Sequence, residues 1–257
     1  MSTTDEEPLP GDVPLWEVPG WRDRFSVRAG ITGRGDEPAN PFDLGLWTTT
    51  PVSRVMSHWR QFRATFPEFS GSVLAHQVHG GRVLWHQGGV GWTIHEGADG
   101  HATQGTGLLL LVTVADCVPI YLVAPARRAV ALLHAGWRGT ACGILGQGLE
   151  TLHRMAGVEP AELVMHLGVA ISGARYQVGA EVVRGVGRTP MGEGPWNLDL
   201  RDALAEQGTR LGVGEISRSS RCTASSPGDF FSHRASGGTA GRMVAYLGLS
   251  GSLGGER

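Results

Sequence analysis

Three apolar runs crowded into the middle of this chain constrain its fold most: Leu108–Val114, Pro119–Ala124 and Ala129–Leu133. Each is too short for an ordinary helix, and none alternates like a half-solvated strand, so each reads as a strand covered on both faces. Pro125-Ala-Arg-Arg128 between the last two is a turn. If those four residues close a hairpin, Ala124 faces Ala129 and Pro119 faces His134. Cys117 then shares a face with His134, one diagonal step away at about 7–8 Å. A one-residue slip would put the two on opposite faces.

Other elements follow from periodicity. Val55, Trp59, Phe62 and Phe66 mark a helix over 53–66, and Ile144 to Met155 a second one, stopped by Gly157 and Pro160. Leu198, Leu200, Leu204 and Leu211 suggest a third helix. Phe25–Ile31, Leu163–Ile171 and Arg242–Leu249 read as strands. Ser72–His79 and Arg82–Gln87 flank Gly80-Gly81, which predicts a second hairpin with His79 at its turn. Asp99–Thr106 reads as a polar loop and Thr32–Asn40 as a Gly-rich one. Residues 1–19 carry Asp5, Glu6, Glu7 and four prolines and read as a loose acidic, Pro-rich tail. With no repeat, no linker and no clean βαβ alternation, the prediction is an α/β fold. It is a single domain over 20–257, with mixed β-sheets flanked by helices.

Chemistry concentrates in three segments: Gln77-Val-His-Gly80, Ala115-Asp-Cys-Val-Pro119 and His134-Ala-Gly-Trp-Arg-Gly139. Each sets one metal-capable side chain, His79, Cys117 or His134, among small residues at a strand end. Taken singly, a histidine is more often surface or satisfied core, and a cysteine after an apolar strand is an inert buried thiol. Converging, they make three ligands with a fourth position left for water, the arrangement of catalytic zinc. Without metal, the same residues make Cys117 a nucleophile with His134 as its base; a non-catalytic zinc-binding module is the plainest alternative. Arg138 and Arg234 have planar forks suited to phosphate or carboxylate, although structural ion pairing explains them equally. Asp116 either orients a histidine or caps the next turn, His76 faces away, and Trp137 fills the core. Cys142 and Cys222 have no evident role.

Composition narrows the function. All 22 basic residues are arginine, which excludes a P-loop lysine and lysine Schiff-base chemistry. Three widely spaced cysteines are not a disulfide framework. A net charge of -2 gives no footprint for nucleic acid, and the longest apolar run is too short to span a bilayer. The acidic start lacks the features of a signal peptide, so a cytoplasmic location is the default.

The three segments, followed by Phe230-Phe-Ser-His-Arg234 and Gly241-Arg-Met243, resemble the laccase-domain family in content and order from about residue 25 to 249. That family is also called multicopper polyphenol oxidase and purine nucleoside phosphorylase. The resemblance implies a metal site of His79, Cys117 and His134, holding zinc rather than copper. It implies phosphorolysis of adenosine, inosine, guanosine and methylthioadenosine, with adenosine deamination as a second activity. Purine nucleoside and phosphate are then the partners, and Cys117, Arg138 and Arg234 the catalytic candidates. Copper oxidation of phenols is the rival within the family, poorly served by a chain without His-x-His pairs. Three positions depart from the family pattern: Thr32-Gly-Arg34-Gly35 replaces Thr-Arg-x-Gly-Gly, Gln177 stands for a Glu, and His233 for a Tyr.

Overall fold

The layers around the central runs explain why those runs are apolar throughout. The computed structural model describes residues 1–251 and stacks two seven-stranded sheets face to face, with helices outside each. In Val118–Ala124, Val118, Ile120 and Leu122 pack under the helices Ile144–Ala156 and Leu200–Arg210. Tyr121 and Val123 alternate into the core between the sheets. Ala129–Ala135 does the same, sending Val130 and Leu132 between the sheets. The second sheet faces them with Leu110, Val112, Ala245 and Leu247 and packs its outer face on the helix Val52–Ala64. Strands with two covered faces have no polar side to present, so alternation vanishes from their sequence.

The first sheet runs in the order Ser2–Thr3, Glu215–Arg218, Val164–Leu167, Val118–Ala124, Ala129–Ala135, Gly100–Thr103, Val83–His86. The second runs Glu7–Leu9, Leu15–Glu17, Val27–Thr32, Met243–Leu249, Leu108–Val114, Gly71–His76, Gly91–Glu96. Both mix parallel and antiparallel neighbours, as the mixed α/β reading expects. The central hairpin has the predicted register, with Pro119 opposite His134 and Ala124 opposite Ala129. Among the described residues, no helix is long and apolar enough to cross a membrane.

Three local expectations are corrected. Gly80-Gly81 does not close a hairpin: Gly71–His76 pairs in the second sheet and Val83–His86 in the first. The chain between them crosses from one sheet to the other, so its backbone bonds to side chains. The Gln77 amide takes part by donating to the Thr113 carbonyl at 2.9 Å and accepting from its N–H at 2.6 Å. Asp99–Thr106 is not a loop throughout, since Gly100–Thr103 is a buried strand and Asp99 is fully buried. Residues 1–19 are not loose either, because Ser2–Thr3 and Glu7–Leu9 are edge strands and Leu15–Glu17 pairs on both sides, with Glu7–Leu9 and Val27–Thr32.

Glu6 anchors that segment. Its buried carboxylate accepts from His166 Nε2 at 3.2 Å and from the Val169 N–H at 3.1 Å. The acidic composition that suggested a tail is here a buried, hydrogen-bonded group. Replacing Glu6 with Ala strands both donors in the interior, and the expected loss is about 2–4 kcal/mol of unfolding free energy. Urea denaturation checks this; a change below about 0.5 kcal/mol, the range of an ordinary surface substitution, would show that the segment is not anchored through Glu6.

Candidate metal centre and active-site cavity

His134 lies at the end of its strand and faces the space between the sheets, and the hairpin register brings Cys117 to the same face. His79 arrives from the crossing segment with φ 58°, a left-handed backbone unusual for a residue with a side chain. The donor atoms of His79, Cys117 and His134 all lie within 4.8 Å of one another. The two imidazole rings stand at 77° with centroids 4.9 Å apart. One ion with bonds of about 2.0–2.3 Å fits between such donors after a small inward swing of the side chains. Gly136 keeps the space open, since a Cβ there would meet Cys117 Sγ at 3.0 Å and His79 Cδ2 at 3.1 Å.

One carboxylate organises both histidines. Asp99 accepts from the backbone N–H groups of Val78, His79 and Gly80 at 3.2, 2.9 and 2.8 Å. It also accepts from His134 Nδ1 at 3.0 Å, so Nε2 is the nitrogen of that ring that could bind an ion. Burial works against the Asp99 charge, but the bond from His134 and those from the 78–80 backbone hold its carboxyl below the ordinary range. Sequence reading missed Asp99. Its only signal was a lone acid set among small residues in Gly97-Ala-Asp-Gly100, the same setting as the three recognised segments.

The thiol and the imidazole share charge. Burial opposes ionisation of Cys117, yet the His134 imidazolium and hydrogen bonds from both histidines bring it down to about 6. Burial likewise opposes a charge on His134, and the Cys117 thiolate with Asp99 raises it to about 9. A pre-formed thiolate beside two nitrogens suits a borderline-soft divalent ion better than magnesium or calcium.

Above these residues opens a cavity of about 460 Å³, within the range for small-molecule sites. Arg138 and Arg234 both line it, as predicted. Arg138 lies over the Trp137 ring at 4.5 Å, and Arg234 over Tyr176 at 4.9 Å while donating to the Gln177 carbonyl at 2.8 Å. Because that carbonyl is backbone, the Gln177 departure leaves the contact intact. Asp116 neither orients a histidine nor caps a turn. With φ 88° it accepts from Thr223 Oγ1 at 2.6 Å and from the Arg234 N–H at 2.7 Å, drawing the Arg234 loop to the cavity. Trp137 packs against the core as expected and also lines the cavity, and His76, expected to face away, lines it too, together with His233, Trp47, Tyr176 and Arg242. Arg34 lies elsewhere, over Phe231 and bonded to the Pro227 carbonyl.

Residues 23–250 match the family described as multi-copper polyphenol oxidoreductase laccase. The chain belongs to this family. It is 36% identical over 245 residues to the purine nucleoside phosphorylase YlmD of Geobacillus stearothermophilus, covering 86% of this chain and 89% of that one. It is also 36% identical to a purine nucleoside phosphorylase of Deinococcus radiodurans, covering 88% of each. The crystal structure of the Geobacillus YlmD superposes with a TM-score of 0.84 at 29% identity, over 96% of this chain and 100% of that one. The fold is therefore that of the family.

Two outcomes test the centre. Asp99→Ala frees His134 and the 78–80 segment and is expected to weaken metal affinity about 10–100-fold, read by competition with a chromophoric chelator. Unchanged affinity would remove Asp99 from the site's support. In metal-stripped protein carrying Cys142→Ser, the lowered Cys117 value places the thiolate above, and the thiol below, about pH 6. Alkylation of Cys117 by iodoacetamide should therefore rise with a midpoint near pH 6 and be blocked by added zinc. A midpoint near the ordinary thiol value of about 8.5 would contradict the thiolate–imidazolium pairing.

Proposed function

We propose that this protein is a zinc-dependent purine nucleoside phosphorylase with adenosine deamination as a second activity. The observation that carries the reading is the convergence of His79, Cys117 and His134 beneath a cavity that Arg138 and Arg234 also line. The relatives named as purine nucleoside phosphorylases support the phosphorolysis part of this reading. When bound there, zinc supplies Lewis acidity and brings the pKa of coordinated water to about 7.

The side chains of this protein supply the rest. Arg138 and Arg234 hold phosphate, taking the place that lysine fills in other phosphate sites. A phosphate oxygen attacks ribose C1′ as the C1′–N9 bond breaks. The bonding pair leaves with the purine, which takes up a proton, and the products are ribose 1-phosphate and free base. Asp116 contributes through position, by fixing the Arg234 backbone. Deamination replaces the C6 amino group of adenosine by oxygen from water and releases ammonia.

A second reading has a specific basis. Cys117, His134 and Asp99 stand in the order nucleophile, base and orienting carboxylate found in cysteine hydrolases. His79 favours the metal, because such a triad has no use for another nitrogen against the thiolate. For copper oxidation a multi-ion cluster would be needed. The other histidines that gather, His86, His95 and His101, do not line this cavity.

Incubation with adenosine should give adenine and ribose 1-phosphate only when phosphate is present, and inosine with or without it. Cys117→Ala should abolish both activities together if both need the metal. Zinc-replete protein that forms neither adenine nor inosine would sink the purine reading, and zinc-free protein that hydrolyses thioesters or amides would install the cysteine hydrolase in its place.

A further inference from the structure

The aromatic side chains around the cavity are not equivalent. Trp137 and Tyr176 each have a guanidinium over the ring, from Arg138 and Arg234. Trp47 is covered differently: His76 stacks beneath it with centroids 4.6 Å apart and planes at 27°, and the residue remains 48% exposed. A tryptophan kept half open at the mouth of a cavity forgoes burial that most indoles achieve.

Its support is rigid. His76 ends a strand of the second sheet and is held through Nδ1 by Glu96 at 3.1 Å. The loop that carries Trp47 is tied to the buried Asp43, whose carboxylate accepts from the Gly45 N–H at 2.8 Å, Thr50 Oγ1 at 2.6 Å and the Arg242 N–H at 2.7 Å. Thr48 Oγ1 closes the loop onto the Gly45 carbonyl at 2.9 Å. The indole is thus presented from a loop tied to Asp43 and stacked on His76, on the side of the sheet that does not carry Arg138.

We propose that Trp47, backed by His76, is the stacking platform for the purine base and sets the preference for a two-ring base. The substrate class rests on the phosphorolysis reading above. Base and phosphate then enter from opposite sheets: the base lies on Trp47, and the phosphate sits with Arg138 and Arg234. The ribose between them places C1′ where the two meet. A one-ring pyrimidine covers less of the indole and binds more weakly.

The test separates nucleoside from phosphate. In Trp47→Ala, the KM for inosine should rise roughly tenfold or more, the usual consequence of removing one base-stacking ring. The KM for phosphate should stay within about twofold, because the lost contact is to the base alone. Trp47→Phe should recover most of the nucleoside affinity. Calorimetric binding of free adenine, which needs no turnover, should weaken in parallel in Trp47→Ala. Unchanged inosine KM and adenine affinity, or equal loss for inosine and phosphate, would overturn the platform. If wild-type protein shows no phosphorolysis, that reading fails on its own; adenine binding then decides this one, which stands if binding is lost in Trp47→Ala and falls if binding persists there or is absent from the wild type.

Discussion

The buried carboxylate of Asp99 is the constraint on which the functional site depends. It draws three successive N–H groups of the 78–80 backbone and the His134 ring onto one pair of oxygens. Those partners come from different layers: the 78–80 segment has just left the second sheet, and His134 ends a strand of the first. A carboxylate is costly to bury unless its lone pairs are filled, and four donors fill them. The same bonds hold His79 in a left-handed backbone that it would otherwise rarely adopt. The convergence of His79 and His134 and the junction between the sheets therefore share one anchor.

Asp116 plays a parallel part on the other side of Cys117. It too has a positive φ, and it binds Thr223 and the backbone of Arg234, both far along the chain. Cys117 thus has two acids close by, Asp99 and Asp116, that act through hydrogen bonds to the groups around it. One arranges the histidines, the other brings in an arginine. The stack of Trp47 on His76 and the pairing of Arg138 and Arg234 each with its own aromatic ring are visible only in the cavity.

Much of the architecture was legible in sequence because its elements are locally determined. The hairpin 118–135 has a four-residue turn and two apolar runs of matching length, so its register, and with it the shared face of Cys117 and His134, follows from counting residues. The helix at 144–156 has both an amphipathic face and a glycine in left-handed conformation at its end. The three residues whose donor atoms converge and the two arginines that line the cavity were likewise legible, from residue type and the small residues around them. Where sequence reading failed, the deciding contacts were distant. Glu6 reads as part of an acidic tail until His166, 160 positions away, gives its carboxylate a partner. Gly80-Gly81 reads as a tight turn until two sheets compete for the flanking strands.

By itself, then, the sequence determined a mixed α/β fold, a central buried hairpin and a set of side chains able to hold a metal, because these depend on periodicity, turn length and donor chemistry. Only the tertiary structure decided that Asp99 would be buried rather than solvated, that Asp116 would hold Arg234, and that His76 and Trp47 would face the cavity. Each of those outcomes is set by a partner from another strand or loop, and the orientation of a polar side chain is fixed by where its partner lies rather than by its own neighbours in the chain.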